Sequence, residues 1–352
     1  SYLGSALIVI LAAAVLANLQ LLPSSRNAPP LYDGIFNYIA PLAIFFLLLD
    51  VKLKDLRQAG LPMLLLFGLG ALGTMAGALA GYYLLAPQNH GVENAHAVAG
   101  MFTGTYIGGS VNLNAVALQF GVTKSGTLFA AINAADNIIT TIWIIATLLL
   151  PRLLQRIWPR GAGSSAASLA TVAPELEAKE PLRVIDLSLL LALGLGSLFL
   201  AQLVSQWLPA VPYVLSLTTA ALILAQIPAI QKLRGGTVLG YFTVLLFLAV
   251  IGAYCDLGAL IANGSVAITL LVWVTMIVAI HALVIFGLGG LLQQDWAVIA
   301  VASNANVGGA TSAGVLATAI GRGDLRLPGI LAGSLGNAVG TYAGVLTALY
   351  LR

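Results

Sequence analysis

Long apolar runs separated by short polar breaks dominate the chain. Runs near the roughly 20 residues that a helix needs to cross a bilayer lie at 3–22, 34–50, 61–85, 126–150, 185–207, 211–229, 237–255, 265–291 and 328–350. They are continuous rather than alternating, which predicts helices and excludes barrel strands. Proline, glycine and charge punctuate the gaps, as in Ser24 to Pro30, Lys52 to Arg57, Ala86 to His90 and Gln231 to Gly236. The run Ala6 to Leu22 has no basic leader or A-x-A cleavage site and reads as a spanning helix, not a signal peptide. One long polar stretch, Arg152 to Pro181, separates two halves as a linker.

Two further segments, 95–119 and 296–320, are apolar enough for the membrane but unlike ordinary spans. The first contains Thr105, Gly108, Gly109, Ser110, Asn112 and Asn114; the second contains Asn304, Asn306, Gly308, Gly309, Thr311 and Ser312. These two segments align without a gap at an offset of 200 residues. Gly108-Gly109 then falls on Gly308-Gly309, Asn137 on Asn337 and Thr141 on Thr341, while Asp55-Leu56 and Asp256-Leu257 match with a small shift. Internal repeats of this kind mark secondary-transporter folds.

The positive charges distinguish two topologies. If each glycine-pair segment is a re-entrant hairpin, Lys52, Lys54, Arg57, Arg152, Arg156, Arg160, Lys179, Arg183, Lys232, Arg234, Arg322 and Arg326 share one side. Only Arg26, Lys124 and Arg352 then lie opposite, 12 against 3. Full crossings would give 6 against 9. Because positive residues collect on the cytoplasmic side, the hairpin arrangement is predicted. It makes the repeats inverted (1–151 and 182–352), places the 152–181 linker in the cytoplasm, and brings the two hairpin tips together near the midplane. A limb of 14 residues reaches about 20 Å, just past mid-membrane.

Composition narrows the chemistry. Only 8% of residues are charged against 60% hydrophobic, where a soluble domain has roughly 25% charged. Nucleic-acid-binding, collagen-like and disordered classes are excluded, and the environment is a lipid bilayer, in a bacterial inner or plasma membrane. A single cysteine, Cys255, and three scattered histidines leave no disulfide framework or Cys- or His-based metal site, and no nucleophile–base pair suggests an enzyme.

Backbone that breaks helix inside a bilayer must be buried in protein or line a wet cavity. The tips therefore offer free N–H and C=O groups to a small solute, and the residues named above, with Asn337 and Thr341, are the candidate substrate contacts. Asp136 stands deep within the 126–150 span, where a carboxylate costs about 2.5–3.5 kcal/mol. It is either a ligand for a coupling Na⁺ or H⁺, with Asn137, Thr140 and Asn337 beside it, or a capped structural carboxyl. His281 is a protonation site or a helix–helix hydrogen bond, and Pro41 breaks or kinks its helix. Trp143, Trp158 and Trp207 read as interfacial or lipid-facing aromatics. No other cofactor is expected. A carrier, a passive channel and the ion-translocating subunit of a complex all remain open at this point.

The runs Gly104 to Asn112 and Asn306 to Gly309, with the Asp136-Asn137 helix between them, resemble the bacterial and plastid membrane family called domain of unknown function 819 (YjcL-like). The resemblance covers essentially the whole chain; it implies one more N-terminal helix than is visible here, which fits a missing start. It implies membership of a superfamily with sodium–glutamate symporters, bile-acid-type sodium symporters and citrate carriers. It therefore implies an all-α elevator-type transporter whose hairpin tips bind substrate, with a homodimer formed through scaffold helices. Neither hairpin core carries the arginine found in some dicarboxylate carriers, which argues against a doubly anionic substrate.

Overall fold

The computed structural model describes residues 2–24, 27–159, 182–208, 211–255 and 264–352. Arg26, residues 160–181 of the expected linker and the Asp256-Leu257 repeat match lie outside them. Most of the described residues are helical, with no strand among them. The helices are α1 (Tyr2–Asn18), α2 (Pro30–Leu48), α3 (Leu61–Leu85), α4 (Ala95–Gly108), α5 (Ser110–Gln119), α6 (Gly126–Ile157) and α7 (Val184–Trp207). They continue with α8 (Tyr213–Leu224), α9 (Gly236–Ala253), α10 (Gly264–Leu291), α11 (Trp296–Val307), α12 (Gly309–Ala319) and α13 (Arg326–Tyr350). Six of them, α2, α3, α6, α7, α9 and α10, are long and apolar enough to cross a membrane.

Several boundaries differ from the hydropathy reading. The first helix stops at Asn18, whose amide caps the Ala14 carbonyl and reaches the Cys255 carbonyl, both at 2.8 Å. Helix α8 has only 12 residues, about 18 Å of rise, because the chain turns at Ala225-Gln226. The turning residue is put to use: Gln226 Nε2 donates to Val51 O and its Oε1 accepts from Leu53 N, which pins the loop after α2. Helix α6 runs through Pro151 to Ile157. In α2 a π-helical turn at Ile35–Ile39 precedes Pro41, which lacks the N–H that a regular turn would use. The proline is thus absorbed within a continuous helix.

Two helix pairs, each joining an earlier and a later part of the chain, pack in opposite directions. Helices α3 and α10 meet along Gly70, Gly73, Gly77 and Gly81, which share a face at helical spacing. Gly70 faces His281 and Ile285, Gly77 faces Ile277 and Gly81 faces Trp273, so the two run antiparallel. A β-carbon on Gly77 would lie 2.8 Å from the Ile277 Cα. Helices α2 and α9 do the same, with Gly240 on Leu47 at one end and Phe36 against Phe247 at the other. On α6 the residues turned away from the protein, Ile138, Ile142, Ile145, Leu149 and Leu153, are exposed and apolar, as a lipid-facing stripe requires.

Both glycine-pair segments fold back on themselves. In the first, Gly104 of α4 lies against Asn112 of α5, and at the open end the His96 and Phe120 rings are 5.7 Å apart. In the second, Ser312 Oγ of α12 donates to Asn304 O of α11 at 3.3 Å. Its open end is closed by an ion pair, Arg322 to Asp295 at 2.5 Å, and Asp295 also caps α11 through Ala297 N. Arg322 pairs with Asp324 as well, at 2.7 Å, which holds the Asp324 carboxyl below its ordinary range. A depressed carboxylate pKa contributes stability above the unfolded value, near 3.8, that is lost as pH falls through the folded one. The pair is about a third exposed and screened by solvent, so its contribution is below about 1 kcal/mol. The wild type is therefore expected to lose slightly more thermal stability than Asp324→Asn between pH 6 and pH 3; identical losses by both proteins would remove this carboxylate from the balance.

Candidate functional site

The two hairpin tips touch. A β-carbon on Gly109 would sit 4.0 Å from the Gly309 Cα, and one on Gly309 would sit 3.7 Å from the Gly108 carbonyl oxygen. Both glycines have positive φ, +93° and +77°. At Gly109, with ψ near 175°, the conformation is one that essentially only glycine adopts. The backbone turns here without any side chain, and so the other tip can come this close.

Helix α13 runs past both tips on a stripe of glycines. Gly344 packs on Gly100, Gly340 on Gly104 and Asn112, Gly336 on Ile107 and Gly108, and Gly333 on Gly309 and Ala310. Spacings of three and four keep these glycines on one face. That face is the floor of the tip region, and backbone lies directly on backbone there.

Helix α6 forms the opposing wall. Asp136 and Thr140, one turn apart, are buried, and neither Asp136 Oδ1 nor Thr140 Oγ1 has a hydrogen-bond partner among the described residues. The polar neighbours of the Asp136 carboxyl are the hydroxyls of Thr105 and Tyr106 on α4. Tyr106 also neighbours Thr140, and its hydroxyl lies 3.5 Å from the Asp136 backbone oxygen. A buried polar atom without a partner costs about 1–3 kcal/mol, so two of them one helical turn apart need an account. A third, Asn304 Oδ1, lies against Gly308 on the second hairpin.

The other candidate residues lie in varied settings. Asn112 accepts from Thr341 Oγ1 at 2.7 Å and donates to Gly336 O at 3.4 Å, which bolts the first hairpin to α13. Asn306 turns toward α3; with its amide nitrogen facing Phe67 O and Ala302 O it pairs at 3.2 and 3.3 Å. Asn114 lines a small gap among Ala43, Ile44 and Phe247, toward α2 and α9, and its Oδ1 also has no hydrogen-bond partner among the described residues. Asn137 donates to Asn133 O on its own helix, and Thr141 follows suit onto Asn137 O. Ser312 is held by Asn304 O and Gly309 O, Ser110 is half-buried, and Thr311 is exposed. Asn337 is half-buried, with its backbone nitrogen beneath Gly108.

Hydropathy misplaces one tryptophan. Trp143 is not lipid-facing: it is 8% exposed, and its Nε1 donates to Ser303 Oγ at 3.0 Å. Trp158 and Trp207 are exposed. Trp143 belongs to a buried chain of hydrogen bonds centred on His281. The Nδ1 atom of His281 is 2.8 Å from Gly70 O, which only accepts, so this nitrogen carries the proton. In the neutral ring Nε2 then accepts from Ser303 Oγ at 2.8 Å. Thr74 Oγ1, 3.2 Å from Nδ1, donates to the Tyr106 carbonyl at 3.0 Å. The chain thus joins α4, α3, α10, α11 and α6 around the tips. The repeat offset points to none of these partners, since they come from five separate elements. His281→Ala strands at least two buried groups and is expected to cost about 2–4 kcal/mol in thermal or chemical unfolding. Combined with Ser303→Ala it should cost less than the sum; strict additivity would show that the two do not interact.

Among the described residues no three of His, Cys, Asp and Glu cluster in a way that could hold a metal ion. The region offers instead one acid, several hydroxyls and free backbone ends. That oxygen-rich donor set differs from the thiolate and imidazole ligands that transition-metal sites use.

A multi-pass helical membrane protein with two paired hairpins is thereby defined. Its sequence places it in a named family: the chain belongs to the family described as "Protein of unknown function (DUF819)", whose model matches residues 1–352. It is similar to the "Uncharacterized membrane protein YjcL" of Bacillus subtilis (strain 168), with 28% identity over 364 residues, covering 98% of this chain and 89% of the relative.

Proposed function

We propose that the protein is a secondary active transporter for a small polar or anionic solute, coupled to Na⁺ and working by an elevator-type movement. The observation that carries the reading is the pair of buried, unpartnered oxygens of Asp136 and Thr140 on the wall facing Thr105 and Tyr106, beside two glycine tips in contact. Such orphaned oxygens are what a dehydrated cation would satisfy. The free N–H groups where α5 and α12 begin inside the membrane favour an anionic or polar group. Na⁺ is preferred to H⁺ because the neighbourhood supplies several neutral oxygens and one acid.

The antiparallel pairing of α3 with α10 and α2 with α9 supports inverted repeats, and with them hairpins that enter from opposite leaflets. Packing also separates a group built on α3, α10, α13 and the hairpins from one built on α1, α2, α7, α8 and α9. In this reading the first moves against the second, and the second supplies the homodimer surface. The test is a thermal-shift screen of the purified protein against carboxylates, amino acids and sugars in Na⁺ or K⁺, followed by uptake into proteoliposomes. Saturable uptake driven by a Na⁺ gradient is expected. Non-saturating conductance would instead indicate a channel, and gradient-independent equilibration would discard the coupling.

A further inference from the structure

A second cavity, of about 510 Å³, lies away from the tips, between the last turns of α6 and the open end of the second hairpin. That volume is in the range of sites for small ligands. One wall is Leu148, Arg152, Gln155 and Arg156 of α6; the other is built from Asp295, Trp296, Ala297, Ile320 and Arg322. Arg152 and Arg156 are one helical turn apart and therefore share a face. Arg322 is neutralised by Asp295 and Asp324. Arg152 and Arg156, by contrast, have no ion-pair partner among the described residues. The cavity thus carries two unneutralised guanidinium groups above an apolar floor of Leu148, Trp296 and Ile320.

The surface next to the cavity is apolar. Leu149, Leu153 and Ile157 on α6 are 54%, 51% and 80% exposed, and Trp158 beside them is 48% exposed. A ligand that fits has an oxyanion head, for which guanidinium forks are shaped, and hydrocarbon that can lie along the helix. By the distribution of positive residues this end of α6 faces the cytoplasm, where anionic headgroups bind basic pockets between helices.

We propose that this cavity binds a phosphate-bearing anion, and that its source is the headgroup of an anionic phospholipid held by Arg152 and Arg156, with the acyl chains along Leu149, Leu153 and Ile157. Because the opposite wall is the base of the second hairpin, the bound lipid clamps that hairpin to α6. The site stands independently of the transport reading.

The test uses delipidated, detergent-purified full-length protein. Thermal unfolding is followed on adding phosphatidylglycerol, phosphatidylcholine, inorganic phosphate or AMP, and native mass spectrometry counts retained lipid. The comparison is between wild type, Arg152→Gln/Arg156→Gln and a control, Lys52→Gln/Lys54→Gln, that removes the same charge from the same side. Phosphatidylglycerol is expected to raise the unfolding temperature of wild type and control by several degrees, with at least a threefold loss of lipid retention in the arginine variant. Equal losses in both variants would reduce the effect to general surface charge and overturn the site. Stabilisation by phosphate or AMP equal to that by phosphatidylglycerol would overturn the lipid as the source. Equal stabilisation by phosphatidylcholine would overturn the charge requirement itself.

Discussion

Gly108→Val is expected to destabilise the folded protein by about 3 kcal/mol or more, the upper end of what overpacking costs. A β-carbon at this position meets the Gly336 carbonyl group and lies 2.6 Å from the Asn337 nitrogen. The contact is reciprocal, since a β-carbon on Gly336 meets the Ile107 carbonyl and lies 2.7 Å from the Gly108 Cα. Backbone cannot change rotamer to make room, so the first hairpin would have to lift off α13. Doing so breaks the Thr341–Asn112 hydrogen bond and separates the tips. Gly196 is the control: it lies in α7, where a β-carbon would have nothing within 4 Å, and alanine there should be neutral or stabilising by up to ~1 kcal/mol. Unfolding midpoints and monodispersity in detergent measure both; a wild-type midpoint for Gly108→Val would show that the hairpin can shift off α13 at little cost.

Asp136→Asn is expected to leave the fold intact and weaken the Na⁺ response, in stabilisation and in driven uptake, by ~10-fold or more, equivalent to about 1.4 kcal/mol. Asparagine is nearly isosteric and relieves the cost of a buried carboxylate, so the unfolding midpoint without Na⁺ should hold or rise. This opposition of signs separates an ion ligand from a structural carboxyl, whose loss lowers stability and leaves any ion response unchanged. Thr140→Ala should repeat the pattern more weakly, because it removes a neutral oxygen and not the charge. An Asp136→Asn protein that accumulates solute like wild type would take this residue out of the coupling mechanism.

Sequence alone makes a residue conspicuous where the reason is local. Asp136, Thr105 and the two glycine pairs announce themselves because a carboxylate in a long apolar run and paired glycines among Asn, Ser and Thr are costly or conformationally special wherever they fold. Residue type alone misleads where the outcome depends on a distant partner. Asn112 and Thr341 look like solute ligands, yet they satisfy each other across 229 positions. Trp143 looks like a lipid-facing aromatic until Ser303, 160 positions away, accepts its N–H. Tyr106 sits inside the motif and draws no notice, because its place beside Asp136 and Thr140 follows from how far its hydroxyl reaches from α4 to α6.

Residue order alone makes this chain a helical membrane protein, since hydropathy and scarcity of charge are read along one dimension. Which polar groups are spent on one another, and which stay available, follows only from the packing of the helices. Hydrogen bonds inside a bilayer must close within the protein, and in this one they close between elements far apart in the chain.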